Sequence, residues 1–177
     1  MIFDIPSIWI SAKILGNARA QCQLGDLYRA GNGLTKNPEK AVGWYRKAAE
    51  QGDYLALYNL GDCYFEGIGT EINREHALSW WRKSAEMGDP ISQYRLSRCY
   101  SEGTGTPKDD VEAYAYLHLP EVLAFGWGLF DQNGGRGERH GSNERTELEA
   151  AMTQTQISAG LQRAGELDRE FIEKRRL

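Results

Sequence analysis

The sequence predicts an all-α solenoid built from antiparallel helix pairs, and three observations carry that prediction. First, Leu24-Gly25-x-x-Tyr28-x-x-Gly31-x-Gly33 returns 36 residues later as Leu60-Gly61-x-x-Tyr64-x-x-Gly67-x-Gly69, then again as Leu96-Ser97-x-x-Tyr100-x-x-Gly103-x-Gly105. Second, Ala41-x-x-Trp44-Tyr45 recurs in the same phase as Ala77-x-x-Trp80-Trp81 and Ala113-x-x-Tyr116-Leu117. Third, Gly16, Gly52 and Gly88 keep that step. A period of about 20–50 residues marks units that bury their apolar faces only by stacking on neighbours.

The elements follow in order. Residues 1–15 are fairly apolar, and Ala18-Arg19-Ala20 looks like a small-residue cleavage site. A secretory signal carries positive charge ahead of its apolar stretch. Here Asp4 is the sole charge before Lys13. Ile8-Trp9-x-x-Ala12-Lys13-x-x-Gly16 stands in register with Trp44-Tyr45-x-x-Ala48-Ala49-x-x-Gly52, so a truncated repeat half is expected, with a targeting segment as the other reading. Each repeat then reads as helix A followed by helix B. Asn17, Asp53 and Asp89 suit the N-caps of the A helices, with Pro90 in a first turn. Gly31, Gly67 and Gly103 suit left-handed C-caps. Helix B starts after Asn37, Asn73 and Asp109, and Asp109-x-x-Glu112 has the capping-box pattern. Gly52 and Gly88 close the first two B helices. Leu24, Leu27 and Tyr28 form one apolar stripe, and Ala41, Trp44, Tyr45, Ala48 and Ala49 form the facing one. Gly25 and Ala41 are small where two helix axes cross closely, and the Trp residues read as inter-helix packing.

The register breaks after Leu119, where Pro120 ends the third B helix early. Residues 122–130 are apolar and are expected to dock on the last repeat, whereas residues 132–143 are glycine-rich, polar and expected to be mobile. A short helix over 144–151 follows. Thr153-x-x-Gln156 is a second capping box, opening a final helix with Ile157, Leu161, Ala164, Leu167 and Phe171 on one face. The chain thus divides into a repeat region over 1–119, an insertion over 120–146 and capping helices over 147–177.

Composition narrows the function. The chain has 177 residues, a net charge of −4 and no basic footprint, so nucleic acid is not an expected partner. No stretch approaches the ~18 apolar residues that a membrane span needs. Cys22, Cys63 and Cys99 are odd in number, and Cys63 and Cys99 occupy the repeat position of Leu27, which suggests packed, reduced thiols.

These residues resemble the Sel-one-like repeat family, relatives of the tetratricopeptide repeats. The family pattern is Ala-x-x-x-Leu-Gly-x-x-Tyr-x-x-Gly-x-Gly, then Lys-Ala-x-x-Trp-Tyr-x-Lys-Ala-Ala-x-x-Gly. Residues 20–52 match almost throughout, and residues 56–88 match with Ser84 for one Ala and His76 for the Lys. The third repeat departs at Ser97, at Leu117 and after Leu119, while Met152-Thr153-x-x-Gln156-Ile157 looks like the closing helix of bacterial members. The resemblance implies a right-handed superhelix and an adaptor role in signalling, secretion, envelope assembly or host interaction. Some bacterial members neutralise secreted phospholipase toxins.

Catalytic chemistry has little to stand on. Some cysteine-rich relatives are described as β-lactam-binding or β-lactam-hydrolysing, which would ordinarily show Ser-x-x-Lys. No serine here has lysine three residues on, and those relatives' cysteine pattern is missing. His76, His118 and His140 form no metal spacing, and the Gly-x-Gly turns lack a P-loop lysine. No cofactor or metal is expected.

By helical spacing, the A-helix positions pointing away from helix B are Arg19, Cys22, Asp26 and Arg29 in the first repeat. In the second they are Leu55, Tyr58, Asp62, Phe65 and Glu66; in the third, Ile91, Tyr94, Arg98, Ser101 and Glu102. These positions vary while the frame recurs, as in a surface tuned for a partner, although ordinary solvated surface varies too. Tyr58, Phe65 and Tyr94, flanked by Asp62 and Arg98, resemble an interface core with a polar rim. Two functions follow: a non-catalytic binding module or adaptor that grips a protein or peptide in the concave A-helix groove, with an immunity-like inhibitor of a bacterial effector as its narrowest form, or a small-molecule-processing hydrolase of the β-lactam-binding kind. A cytoplasmic location is expected, or a periplasmic or secreted one if the first residues are a signal.

Overall fold

The computed structural model describes residues 5–119 and 140–176, the side chains of 140–143 excepted. Among the described residues there are nine helices and no strand. They form two compact units, Met1–Ser84 and Ala85–Leu177.

The first unit contains α1 (Ile5–Lys13), α2 (Ala18–Ala30), α3 (Pro38–Glu50), α4 (Tyr54–Glu66) and most of α5 (Arg74–Glu86). The side chains of Asn17, Asn37 and Asp53 accept from the backbone N–H three residues on, at 2.9, 2.8 and 2.9 Å, which starts α2, α3 and α4. Asn73 does the same for His76 at 2.9 Å. Gly31 and Gly67 end the A helices in the left-handed region, at φ 80° and 73°. Helix α1 stands in a B-helix position: Ile5 and Ile8 pack on the cluster of Ala12, Ala20, Leu24 and Leu27. The next layer joins Ala41, Tyr45, Ala48, Leu57, Leu60 and Cys63.

Two glycines set the helix spacing. A Cβ on Gly25 would stand 2.6 Å from the Tyr45 ring, and one on Gly61 would collide with the Trp81 indole. Both aromatics are fully buried, so each B helix presses a flat ring on the bare backbone of its A helix. The third repeat has Ser97 at the glycine position and Leu117 at the aromatic one, both buried. The two departures from the repeat are one adjustment: a smaller partner leaves room for a side chain.

The second unit contains α6 (Pro90–Glu102), α7 (Asp110–Leu117), α8 (His140–Ala151) and α9 (Gln154–Arg176). Asp89 caps α6 through Ser92 N at 2.9 Å, and Gly103 ends it at φ 71°. Helix α7 ends at Leu117 with His118 as C-cap. Helix α9 lies along α7 and buries Gly160, Ala164, Leu167 and Phe171. Thr153 and Gln156 form the full capping box, the Gln156 side chain accepting from Thr153 N at 2.9 Å and Thr153 Oγ1 from Gln156 N at 3.3 Å.

Three expectations need correction. Asp109 accepts from Glu112 N at 3.0 Å, but its own N–H goes to the Tyr100 carbonyl at 2.9 Å, while Glu112 pairs with Arg163 at 2.9 Å, so no reciprocal box forms. Leu161 is 50% exposed; Gly160 takes the inward place beside the Tyr114 ring. Helix α8 begins at His140 rather than Glu144. Residues 122–130 and 132–139, expected to dock and to be mobile, lie outside the described residues.

Candidate partner-binding face

In the first unit, the A-helix face is organised around Asp26. The Tyr45 hydroxyl donates to Asp26 Oδ1 at 2.7 Å, and Asn59 Nδ2 donates to the same oxygen at 3.3 Å. Tyr45 comes from α3 and Asn59 from α4, so three helices fix one half-buried carboxylate. Burial alone would lower the Arg29 guanidinium; Tyr45, Asp26 and Asp62 nearby more than offset that and leave it raised. Tyr58 and Asp62 are half-buried on α4, one helical turn apart, and Asp62 is among the groups that raise Arg29. Arg19 lies at the exposed edge, 3.5 Å from Asp53 and over the Tyr54 ring at 5.4 Å.

Several predicted positions turn out to be partly or wholly spent on packing. Phe65 rests on Trp81, ring centroids 5.0 Å apart, beneath the Arg74 guanidinium at 5.6 Å. The reason is spacing: Phe65 is four residues beyond Gly61 and shares its face. Arg29 stands four beyond Gly25 and likewise covers the Tyr45 ring, at 6.0 Å. Leu55 packs against the core cluster. Cys22 is 2% exposed, with Asn59 Nδ2 3.8 Å from its sulfur. Burial pushes its thiol up to about 12, helped by the Asp26 and Asp53 carboxylates; burial likewise puts Cys63 at about 11. All three cysteines are buried, and none is in a disulfide.

In the second unit, α8 contacts the A-helix face. The Tyr94 hydroxyl donates to Glu144 Oε1 at 2.8 Å, and Arg98 Nε lies 3.9 Å from the same oxygen. Arg98 also bonds Glu102 at 2.8 Å, which chiefly keeps its guanidinium raised. Burial and the Glu144 bond raise the Tyr94 phenol. A groove of about 300 Å³ remains between α6 and α8, lined by Ser97, Arg98, Ser101, Glu147, Leu148 and Ala151 among others.

Sequence reasoning missed Tyr45, Asn59 and Glu144. A signal existed for Tyr45 alone: it puts a hydroxyl where the other repeats have Trp81 and Leu117, and a buried hydroxyl needs an acceptor. Among the described residues, no three His, Cys, Asp or Glu side chains gather as a metal site, and no helix is long and apolar enough to cross a membrane.

The Sel1 repeat family model matches residues 18–53, 55–89 and 90–119, the span of the three helix pairs. The chain belongs to the Sel1 repeat family. Sel1 repeats are generally non-catalytic protein-interaction modules, and the helix-pair solenoid is their fold. Among solved structures, the chain is similar to c5321, a protective antigen present in uropathogenic Escherichia coli strains and displaying an SLR fold. Identity is 31% and the TM-score 0.71, over 96% of this chain and 32% of that one. The chain thus spans about a third of that protein's length. It is also similar to a Sel1 repeat protein from Oxalobacter formigenes, at 29% identity and a TM-score of 0.65, over 82% of this chain and 99% of that one. No curated protein matches the chain.

Proposed function

We propose that this Sel1 repeat chain is a non-catalytic adaptor that grips a protein or peptide on the A-helix face of its first unit, centred on Asp26, Tyr58 and Asp62. One observation supports this above others. Both donors to Asp26 fall on Oδ1, and among the described residues none bonds Oδ2. A carboxylate held rigid on one oxygen and available on the other is preorganised for an N–H or cationic donor from outside. Half-buried Tyr58, one turn before Asp62 on the neighbouring A helix, supplies the aromatic contact that anchors interfaces. Arg29 and Asp62 set the local charge pattern, which tunes orientation and on-rate.

Affinity capture of bound proteins, followed by titration of the captured partner, tests the reading. Tyr58→Ala and Asp26→Asn, with folding checked by circular dichroism, should each weaken binding about tenfold or more, the range for an aromatic anchor or a charged hydrogen bond. Full affinity in both folded variants would overturn it. The narrowest form, an immunity-like inhibitor of a bacterial effector, requires a toxin among the captured proteins. The β-lactam-hydrolase alternative gains no support from the thiols, since Cys22 and Cys63 are buried and held protonated. Three unbridged cysteines suit a reducing compartment, which supports the cytoplasmic location we propose.

A further inference from the structure

We infer that α8 is an internal stand-in on the α6 face, and that the external ligand of this face is an acidic helical segment that displaces it. The inference rests on the adaptor reading and names the partner class and the regulation for the second unit.

The way α8 is held supports displacement. None of its described side chains is buried, whereas the neighbouring α9 buries Ala164, Leu167 and Phe171. Two carboxylates secure it instead: Glu144 accepts from Tyr94 at 2.8 Å, and Glu149 accepts from Tyr114 at 2.7 Å. An element with polar anchors and little apolar burial belongs to the low-stability end of a structure and opens locally. What it releases is a surface already shaped for a carboxylate.

The chemistry of that surface defines the ligand. Tyr94 offers a hydroxyl donor and Arg98 a cation, both toward Glu144 Oε1. The other charged groups lining the groove include compensated pairs: Arg98 also meets Glu102 at 2.8 Å, and Lys108 lies 3.3 Å from Asp110. Glu147 of α8 lines it too, and would leave with α8. Leu148 sits four residues after Glu144, hence on the same helix face, and borders the groove of about 300 Å³ beside the small side chains Ser97 and Ser101. A competing helix therefore carries a carboxylate followed four residues later by an apolar side chain as large as leucine or larger. This selectivity is particular to the third A helix. In repeat phase, Tyr58 matches Tyr94, but Asp62 stands where Arg98 does, so the second A helix reverses the charge.

The test uses the full chain and a labelled synthetic peptide with the sequence of residues 140–151. Glu144→Lys should accelerate hydrogen exchange in α8 about tenfold, the factor a lost charge-assisted hydrogen bond brings, while α9 stays protected. The same variant, its α6 face uncovered, should bind the peptide about tenfold more tightly than the wild-type chain, as removal of an internal competitor requires. The double variant Arg98→Glu with Glu144→Lys should restore α8 protection and exclude the peptide. Unchanged α8 exchange in Glu144→Lys, or equal peptide affinity for all three chains, overturns the inference. A partner lost on Tyr58→Ala with α8 exchange unmoved by Glu144→Lys keeps the adaptor reading and removes this one; α8 behaving as described with Tyr58→Ala and Asp26→Asn both silent keeps the α6 site and removes the first-unit site.

Discussion

A single pair of residues sets the helix spacing in each of the first two repeats: a glycine on helix A and the ring it receives from helix B. Gly61 is in the middle of a helix, where glycine costs about 0.5 kcal/mol relative to serine. Propensity alone therefore favours Gly61→Ser. Packing opposes it, because a Cβ there collides with the Trp81 indole, and an overfilled core costs about 1–3 kcal/mol. The packing effect is larger, so Gly61→Ser should destabilise the chain. The third repeat shows the compensation, with Ser97 facing a leucine position. In a double-mutant cycle, Gly61→Ser should therefore cost less in a Trp81→Leu background, with a coupling of about 1 kcal/mol or more. Urea midpoints of the four chains measure it, and additive costs would refute the pairing. Here the signal was in the sequence, since the glycine and the aromatic change together, but helical spacing set Gly25 with Ala41 rather than against the Tyr45 ring it meets. Asp26 was only half legible: its place on the face followed from spacing, but its clamp needs Asn59, 33 residues away, and nothing in the repeat phase marks that bond.

Helix ends were the most readable elements, because a cap is a local contact at a fixed offset of three residues. Asn17, Asn37, Asp53, Asn73 and Asp89 all accept from the N–H three residues on. The capping box at Asp109 failed for a non-local reason: Glu112 found a better partner in Arg163, 51 residues away on α9. The inward face of α9 was misread for a related reason. Apolar periodicity scores Leu161 as core, yet close approach to α7 calls for a glycine, and Gly160 provides it. A Cβ on Gly160 would stand 2.8 Å from the Tyr114 ring and 3.3 Å from the Val111 carbonyl, whereas one on Gly165 would meet nothing within 4 Å. The same substitution should then have opposite effects five residues apart. Gly165→Ala should stabilise by up to about 1 kcal/mol through helix propensity. Gly160→Ala gains the same propensity but loses about 1–3 kcal/mol to the clash, for a net loss. Leu161→Ala, half exposed, should be nearly neutral. Thermal unfolding of the three variants decides this, and a stabilised Gly160→Ala would show that α9 is not seated on Tyr114.

At the scale of the whole molecule, the repeat phase made the fold legible and left the site partly hidden. Phase identifies which positions are frame and which vary. It says nothing of a helix that lies outside the repeat, and α8 reaches Tyr94 across 50 residues of chain. The buried thiols of Cys22 and Cys63 have a consequence of the same breadth, for the response to alkali. Cys22 is pushed up from 9.0 to about 12 and Cys63 from 9.0 to about 11, in both cases chiefly by burial. Tyr114 rises from 10.0 to about 12 through burial and its bond to Glu149, and Tyr45 and Tyr94 shift in the same direction. Each raised value means that the folded chain keeps a proton that the unfolded chain has released. By linkage, the stability these groups contribute is whole below the unfolded value and is lost as pH rises through the folded one. Stability should therefore be level up to about pH 9, where unfolded thiols begin to ionise, and then fall continuously, more steeply past about pH 10 as the phenols join. Replacing Cys22 and Cys63 together by alanine lowers the starting stability but removes the first part of the fall, moving its onset toward pH 10. Urea midpoints recorded between pH 7 and 11 for the two chains make the comparison, with the shape of the curve as the readout. An onset at the same pH in both would mean that the thiols are not held protonated by the fold.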